Sequence, residues 1–196
     1  MKFLTKGSLG LLALLVAQVP LAAQEVMTYG GQVTLALPTG GVSSKEWLDG
    51  KLGGGAGMHM LIGFAGGHAI VPRFDYTYIK KSEDGVDRKV KTCQLGADYN
   101  YFLGRKVNEG PYVGGGLGLA ATKFELDGRG YHSDDTPVTA YAAASAGWMF
   151  NPHVGAELRY TYSRYKPDVA GFAPSGFSGK PTVDAPVLNA SLIFRL

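Results

Sequence analysis

The sequence predicts an all-β chain folded as an eight-stranded antiparallel up-and-down barrel, and three observations carry that prediction. Apolar residues alternate with small or polar ones at period two in eight separate segments. The connections between those segments alternate between short and long. Glycine supplies 29 of 196 residues, about twice the usual share of roughly 7%.

The segments follow in order. Residues 31 to 37 set Val33, Leu35 and Leu37 against Gln32, Thr34 and Ala36, and residues 57 to 64 set Met58, Met60, Ile62 and Phe64 against Gly57, His59, Leu61 and Gly63. Residues 70 to 79 set Ile70, Phe74, Tyr76 and Tyr78 against Val71, Arg73, Asp75 and Ile79. Pro72 lies in this third segment and removes a ladder donor, which predicts a β-bulge near the short-turn end. Residues 92 to 101 set Cys93, Leu95, Ala97, Tyr99 and Tyr101 against Gln94, Gly96, Asp98 and Asn100. Residues 112 to 121 and 138 to 150 continue the pattern with a face of Gly, Ala and Ser. "GAELRYTYSRY" at 155 to 165 and the final "VLNASLIFRL" complete the set.

The links at 65 to 68, 103 to 110 and 151 to 153 are short, whereas those at 38 to 52, 80 to 89, 123 to 137 and 164 to 184 are longer and rich in Gly, Pro, Ser, Asp and Lys. Tight turns at one end and long loops at the other describe an up-and-down sheet, and an even strand number lets it close.

Alternation alone does not say whether the apolar face points in or out. Residue size does. The second face is mostly Gly, Ala, Ser, Thr, Asn and Gln, which suits a crowded interior, while the apolar face carries Leu, Val, Met and Phe. Its aromatic residues Tyr76, Tyr78, Tyr101, Trp148, Phe150, Tyr160, Tyr162 and Phe194 fall towards strand ends, as interfacial girdles do. The apolar face therefore meets lipid, in preference to a soluble lipocalin-like barrel with that face turned inward. An Arg on the lipid face near the bilayer midplane costs about 2–4 kcal/mol. Glu157 and Arg159 must then face the lumen, with Arg73 and Asp75 at the same spacing on another strand, and Asp98, His59, Gln32, Asn189 and Arg195 fall on lumen faces too. Buried charges are tolerated when paired, so His59, Arg73, Asp75, Asp98, Glu157 and Arg159 are expected to form a polar network that plugs the barrel.

The first 23 residues read as a cleaved signal peptide, leaving 24 to 196 as the barrel. Lys2 and Lys6 form its charged region, Leu9 to Val19 its apolar region, and Ala22 and Ala23 the small residues before the cut. That apolar run is about half the ~20 residues of a spanning helix. The single cysteine, Cys93, permits no internal disulfide and no lipid anchor near the cut.

Composition narrows the function. Charged residues are 18% of the chain, and the net charge of +3 is scattered rather than gathered into a basic stripe, so nucleic acid is not an expected partner. "KLGGGAG" and "YVGGGLGLA" are glycine-rich, but neither opens a helix, so neither reads as a phosphate-cradling loop. His132 and Ser133, followed by Asp134 and Asp135, have the residue types of a nucleophile and base, yet consecutive loop side chains rarely converge, and a solvated acidic turn is the plainer reading. No metal-ligand spacing is present and no cofactor is expected; His68 and His153 fall in turns. The loop at 164 to 184, with Arg164, Tyr165, Lys166, Phe172, Phe177 and Lys180, is a candidate binding surface.

"GPYVGGGLGLA" at 110 to 120, "VGAELRYTY" at 154 to 162 and a terminal strand ending at the last residue resemble the small eight-stranded outer-membrane barrels of Gram-negative bacteria, the OmpA-like and OmpX-like β-barrel domains. The resemblance implies outer-membrane localisation, short periplasmic turns and longer extracellular loops, contact with lipopolysaccharide, and insertion by the barrel assembly machinery. That family usually ends in Phe, whereas this chain ends "LIFRL". It implies a non-enzymatic structural or surface-interaction role exercised through the loops. Barrels of this shape that modify lipid A, and an OmpW-type route for small hydrophobic solutes past Leu61, Ile79 and Ile193, are the alternatives.

Overall fold

Period-two alternation over eight segments builds one closed sheet. The computed structural model describes residues 24–43, 48–83, 85–128, 131–166 and 182–196. The barrel strands are β1 (Gln24–Pro38), β2 (Gly53–Phe64), β3 (His68–Glu83), β4 (Val86–Phe102), β5 (Gly110–Gly128), β6 (Val138–Asn151), β7 (Val154–Tyr165) and β8 (Val187–Arg195). Each pairs antiparallel with its neighbours in sequence, and β8 pairs with β1 from Gly30↔Arg195 to Pro38↔Val187, which closes the sheet. Two short strands add to the rim: Tyr131–Asp135 on β5 and Val183–Asp184 on β7.

The turn end is tight. Between β2 and β3 the chain reverses through Gly66 and Gly67 at φ 79° and 89°, a left-handed backbone that glycine adopts without steric cost. A side chain at Gly67 would also run into the Phe102 carbonyl and Arg105.

The loop end departs from expectation at two connections. Residues 80 to 89 and 123 to 137, read from composition as irregular loops, are mostly strand. β3 and β4 stay paired to Glu83↔Val86, β4 and β5 to Asp87↔Asp127, and Tyr131–Asp135 folds back on β5 in the register that β6 then continues. The ladder persists beyond the apolar band because opposite charges meet across it: Lys80 with Asp87 at 2.7 Å, Lys89 with Asp127 at 2.7 Å and Lys91 with Glu125 at 3.0 Å.

The bulge expected at Pro72 is absent. Register is the same on both sides of it, His59↔Arg73 and Ile62↔Ile70, and the β2–β3 ladder skips the two positions between. On its other side β3 remains in register with β4 at Pro72↔Ala97. A missing donor is absorbed here by leaving the pair open rather than by inserting a residue.

Candidate functional site: the barrel lumen and its outer girdle

Strand alternation sends Arg73 and Asp75 inward from β3, Asp98 from β4, and Glu157 and Arg159 from β7, on opposite walls of an eight-strand cylinder. All five are buried, Asp98 and Arg159 to 2% exposure. Arg73 Nη1 donates to Asp98 Oδ2 at 2.9 Å and to Glu157 Oε1 at 3.1 Å, and its Nε donates to Asp75 Oδ2 at 2.8 Å. Arg159 donates to Asp98 twice, from Nη2 to Oδ1 at 2.7 Å and from Nε to Oδ2 at 3.1 Å, and lies 3.8 Å from Asp75. These five of the six proposed residues form a single hydrogen-bonded group. His59 does not join them; its Nε2 accepts from Arg195 Nε at 3.1 Å. Arg195 also donates to Asn108, and brings a third guanidinium into a lumen that holds three carboxylates.

Three network members are additional to those six. Tyr112 donates to Glu157 Oε2 at 2.9 Å, Gln32 donates to Asp75 Oδ1 at 2.7 Å, and the Tyr141 ring lies 5.5 Å from the Arg159 guanidinium carbon. Their room comes from the glycine face. Gly116 stands opposite Asp98, and Gly57 opposite Asp75; a Cβ at either position would strike that carboxylate. The tract "YVGGGLGLA" is therefore a strand whose missing side chains make space for charged ones on the neighbouring strands.

Apolar residues close the lumen above and below this layer. Towards the turns, Leu61, Ala69, Val71, Phe102, Tyr112, Met149 and Ile193 form one buried cluster, with Phe102 and Tyr112 ring centroids 5.1 Å apart. Towards the loops, Ala36, Leu48, Ile79, Val90, Ala120, Phe124, Tyr141, Tyr165 and Ala185 form another. Leu61 and Ile193 thus lie on one side of the charge layer and Ile79 on the other. Two cavities within the lumen measure about 20 and 10 Å3, about one water each.

Tyr165, expected in the exposed loop, is buried; its ring meets Phe124 edge-on at 5.7 Å and its hydroxyl accepts from Thr122 Oγ1 at 2.7 Å. Phe172, Phe177 and Lys180 lie outside the described residues, as do the side chains of His132 and Ser133. Asp134 is exposed and pairs with Lys123 at 3.1 Å.

The outer wall is apolar, with Leu117 70% exposed and Leu35, Met58, Leu158 and Leu192 also open. A groove of about 660 Å3 crosses it between Val33, Leu35, Trp148, Leu158 and Leu192. Of the expected girdle, Tyr76, Tyr160 and Tyr162 are exposed and Tyr78 half-buried in the loop half, while Trp148, Phe150 and Phe194 are exposed and Tyr101 half-buried at the turn end. Tyr29 and Tyr99 add to the turn-end ring, and Tyr99 bonds His68 Nδ1 at 2.6 Å. No helix among the described residues is long and apolar enough to cross a membrane.

The family model described as "Outer membrane protein beta-barrel domain" matches residues 9–194. Among solved structures, Ail, the attachment invasion locus protein of Yersinia pestis, is 17% identical with a TM-score of 0.55 over 86% of this chain and 97% of that one. Neisserial surface protein A is 13% identical, TM-score 0.51, over 87% and 96%. The N-terminal β-barrel domain of Pseudomonas aeruginosa OprF is 10% identical, TM-score 0.50, over 85% and 97%. No curated protein matches the chain.

Proposed function

Since this chain belongs to the outer membrane protein β-barrel domain family, we propose that it is a non-enzymatic barrel of the Gram-negative outer membrane, sealed in its lumen and acting as a structural and surface-interaction protein through its extracellular end. The observation that carries this reading is the three-layer interior. A charge layer joined across β3, β4 and β7 lies between two apolar clusters, and the lumen cavities lined by the described residues include two of about 20 and 10 Å3. Among the described residues such an interior leaves little room for a steady aqueous path, and the charged groups stand between Ile79 and the pair Leu61 and Ile193, which argues against a continuous apolar route.

The same reading assigns residues 1 to 23 to a signal peptide removed on export, the outer girdle to lipid contact that includes lipopolysaccharide, and insertion to the barrel assembly machinery. Extracellular partners would meet the raised hairpins of β3 to β6 and the connection after β7. Planar-bilayer recording of the purified protein tests the seal: a flat baseline at moderate voltage is expected, and discrete, reproducible open levels would overturn it.

A further inference from the structure

Above the apolar band, the outer face of the β3–β5 wall carries three successive rows fixed by register. Tyr78, Lys91 and Lys123 stand side by side in the first. Lys80, Lys89 and Glu125 form the second, with Asp134 opposite Glu125. Ser82, Asp87 and Asp127 form the third. Immediately below the first row come Tyr76, Cys93 and Ala121. Charge is therefore graded along the barrel axis: two ammonium groups stand next to the aromatic girdle, a mixed row of two lysines and two carboxylates follows, and two carboxylates stand farthest out.

Two like charges directly opposite on adjacent strands destabilise a sheet, and here one carboxylate offsets both. Glu125 accepts from Lys91 Nζ at 3.0 Å on each oxygen and lies 2.9 Å from Lys123 Nζ, which also reaches Asp134 at 3.1 Å. An ammonium has three N–H donors, so these contacts leave a third on each lysine. Both side chains stay more than one-third open, 35% and 38%. Glu125 and Asp134 thus hold two partly exposed cations side by side at the height where the apolar wall ends.

We propose that Lys91 and Lys123, flanked by Lys80 and Lys89, form a docking row for a phosphate on the headgroup of an outer-leaflet lipid. The occupant follows from position and charge. The row is on the outside of the barrel, against Tyr78 at the top of the lipid-facing wall, where acyl chains packed on that wall hold a headgroup phosphate at the height of the lysines. A phosphate offers several acceptor oxygens to two adjacent donors, and cations at a membrane surface attract anionic lipid. The inference rests on the outer-membrane reading with the loop end outward.

The protein, purified from outer membranes into dodecyl maltoside, is titrated with diphosphoryl lipid A or with the same lipid stripped of its phosphates, and retained lipid is read by native mass spectrometry. Retention of the phosphorylated form is expected to exceed that of the stripped form about tenfold or more, the scale of a lost charge-assisted hydrogen bond. Lys91→Gln with Lys123→Gln should abolish the preference, and the two Lys→Arg changes should keep it. Equal retention of both lipids by the unaltered protein, or an undiminished preference in the Gln pair, would overturn the docking row. A gel comparing boiled with unboiled samples separates the two ideas: a mobility shift without lipid preference sinks only the docking row, whereas no shift in the unaltered protein sinks the membrane-barrel reading beneath it.

Discussion

Arg159 grips Asp98 across the lumen with two N–H groups, at 2.7 and 3.1 Å, and Asp98 in turn accepts from Arg73 at 2.9 Å. One carboxylate on β4 therefore joins β3 to β7. Breaking a buried pair from one side leaves uncompensated charge and costs about 3–5 kcal/mol. Asp98→Asn should accordingly lower the urea midpoint of the detergent-folded protein strongly, and Glu157→Gln, which removes the charge that Arg73 Nη1 and the Tyr112 hydroxyl bind while Arg73 keeps Asp75 and Asp98, should lower it less. Unchanged midpoints in both variants would show that the network does not contribute to stability.

Gly116 is the space that Asp98 occupies. A methyl group there would meet the carboxylate and its carbon at 2.7 Å, so Gly116→Ala is expected to destabilise by about 1–3 kcal/mol, as overpacking does. The neighbouring outward-facing Gly115 meets nothing closer than the Ala143 carbonyl at 3.6 Å, and Gly115→Ala should change little. Equal losses at both positions in the same urea titration would point to backbone entropy instead of lumen packing.

The lumen was legible in the sequence where charge forbade the alternative: Arg73, Asp75, Asp98, Glu157 and Arg159 alternate with apolar neighbours and have no tolerable place in lipid. Tyr112 and Tyr141 were not, because an aromatic among Gly and Ala on one face does not reveal what it reaches. Its complement is on another strand: Tyr112 is registered opposite Gly147, and Tyr141 opposite Gly118. The strand extensions at 80–83 and 122–128 were hidden for a related reason. Lys, Asp and Glu read as loop within one segment, and become a ladder only when register sets Lys89 diagonally across from Asp127 and Lys91 diagonally across from Glu125. His59 shares the inward face and is registered opposite Arg73, yet its ring meets Arg195 instead, a distinction that alternation cannot make.

Those extensions carry the pH dependence of the loop end. Glu125 is held below its ordinary value of 4.5 by the hydrogen bond from Lys123, with Lys91 adding to it against burial, and Asp87 is held below 3.8 by Lys80 and Ser82. A carboxyl whose folded pKa is depressed stabilises the fold fully above its unfolded pKa and loses that contribution as pH falls through the folded one. Hairpin protection should thus be constant near neutrality and decline once pH drops below about 4.5. Amide exchange at Lys89 to Lys91 and Lys123 to Glu125, corrected for intrinsic rates, measures it. Glu125→Gln should remove most of the decline, and a profile that stays flat to pH 3 in the unaltered protein would contradict the ion-pair account.

Leu117 tests which side of the wall meets lipid. It is 70% exposed at the middle of β5, between Gly116 and Gly118, which face the lumen. If the outer wall is in hydrocarbon, Leu117→Arg places an unpaired cation near the midplane and costs about 2–4 kcal/mol. Lys106→Arg at the exposed turn end should cost nothing measurable, because its side chain is 76% open and its ion pair with Glu109 is a surface one at 3.6 Å. The reading is the urea midpoint of protein folded into phospholipid vesicles. A soluble barrel would instead tolerate Leu117→Arg, since an exposed leucine replaced by arginine in water loses little. A midpoint equal to that of the unaltered protein would therefore remove lipid from the outer wall, while a fall of the expected size ties the exposed leucines to the bilayer.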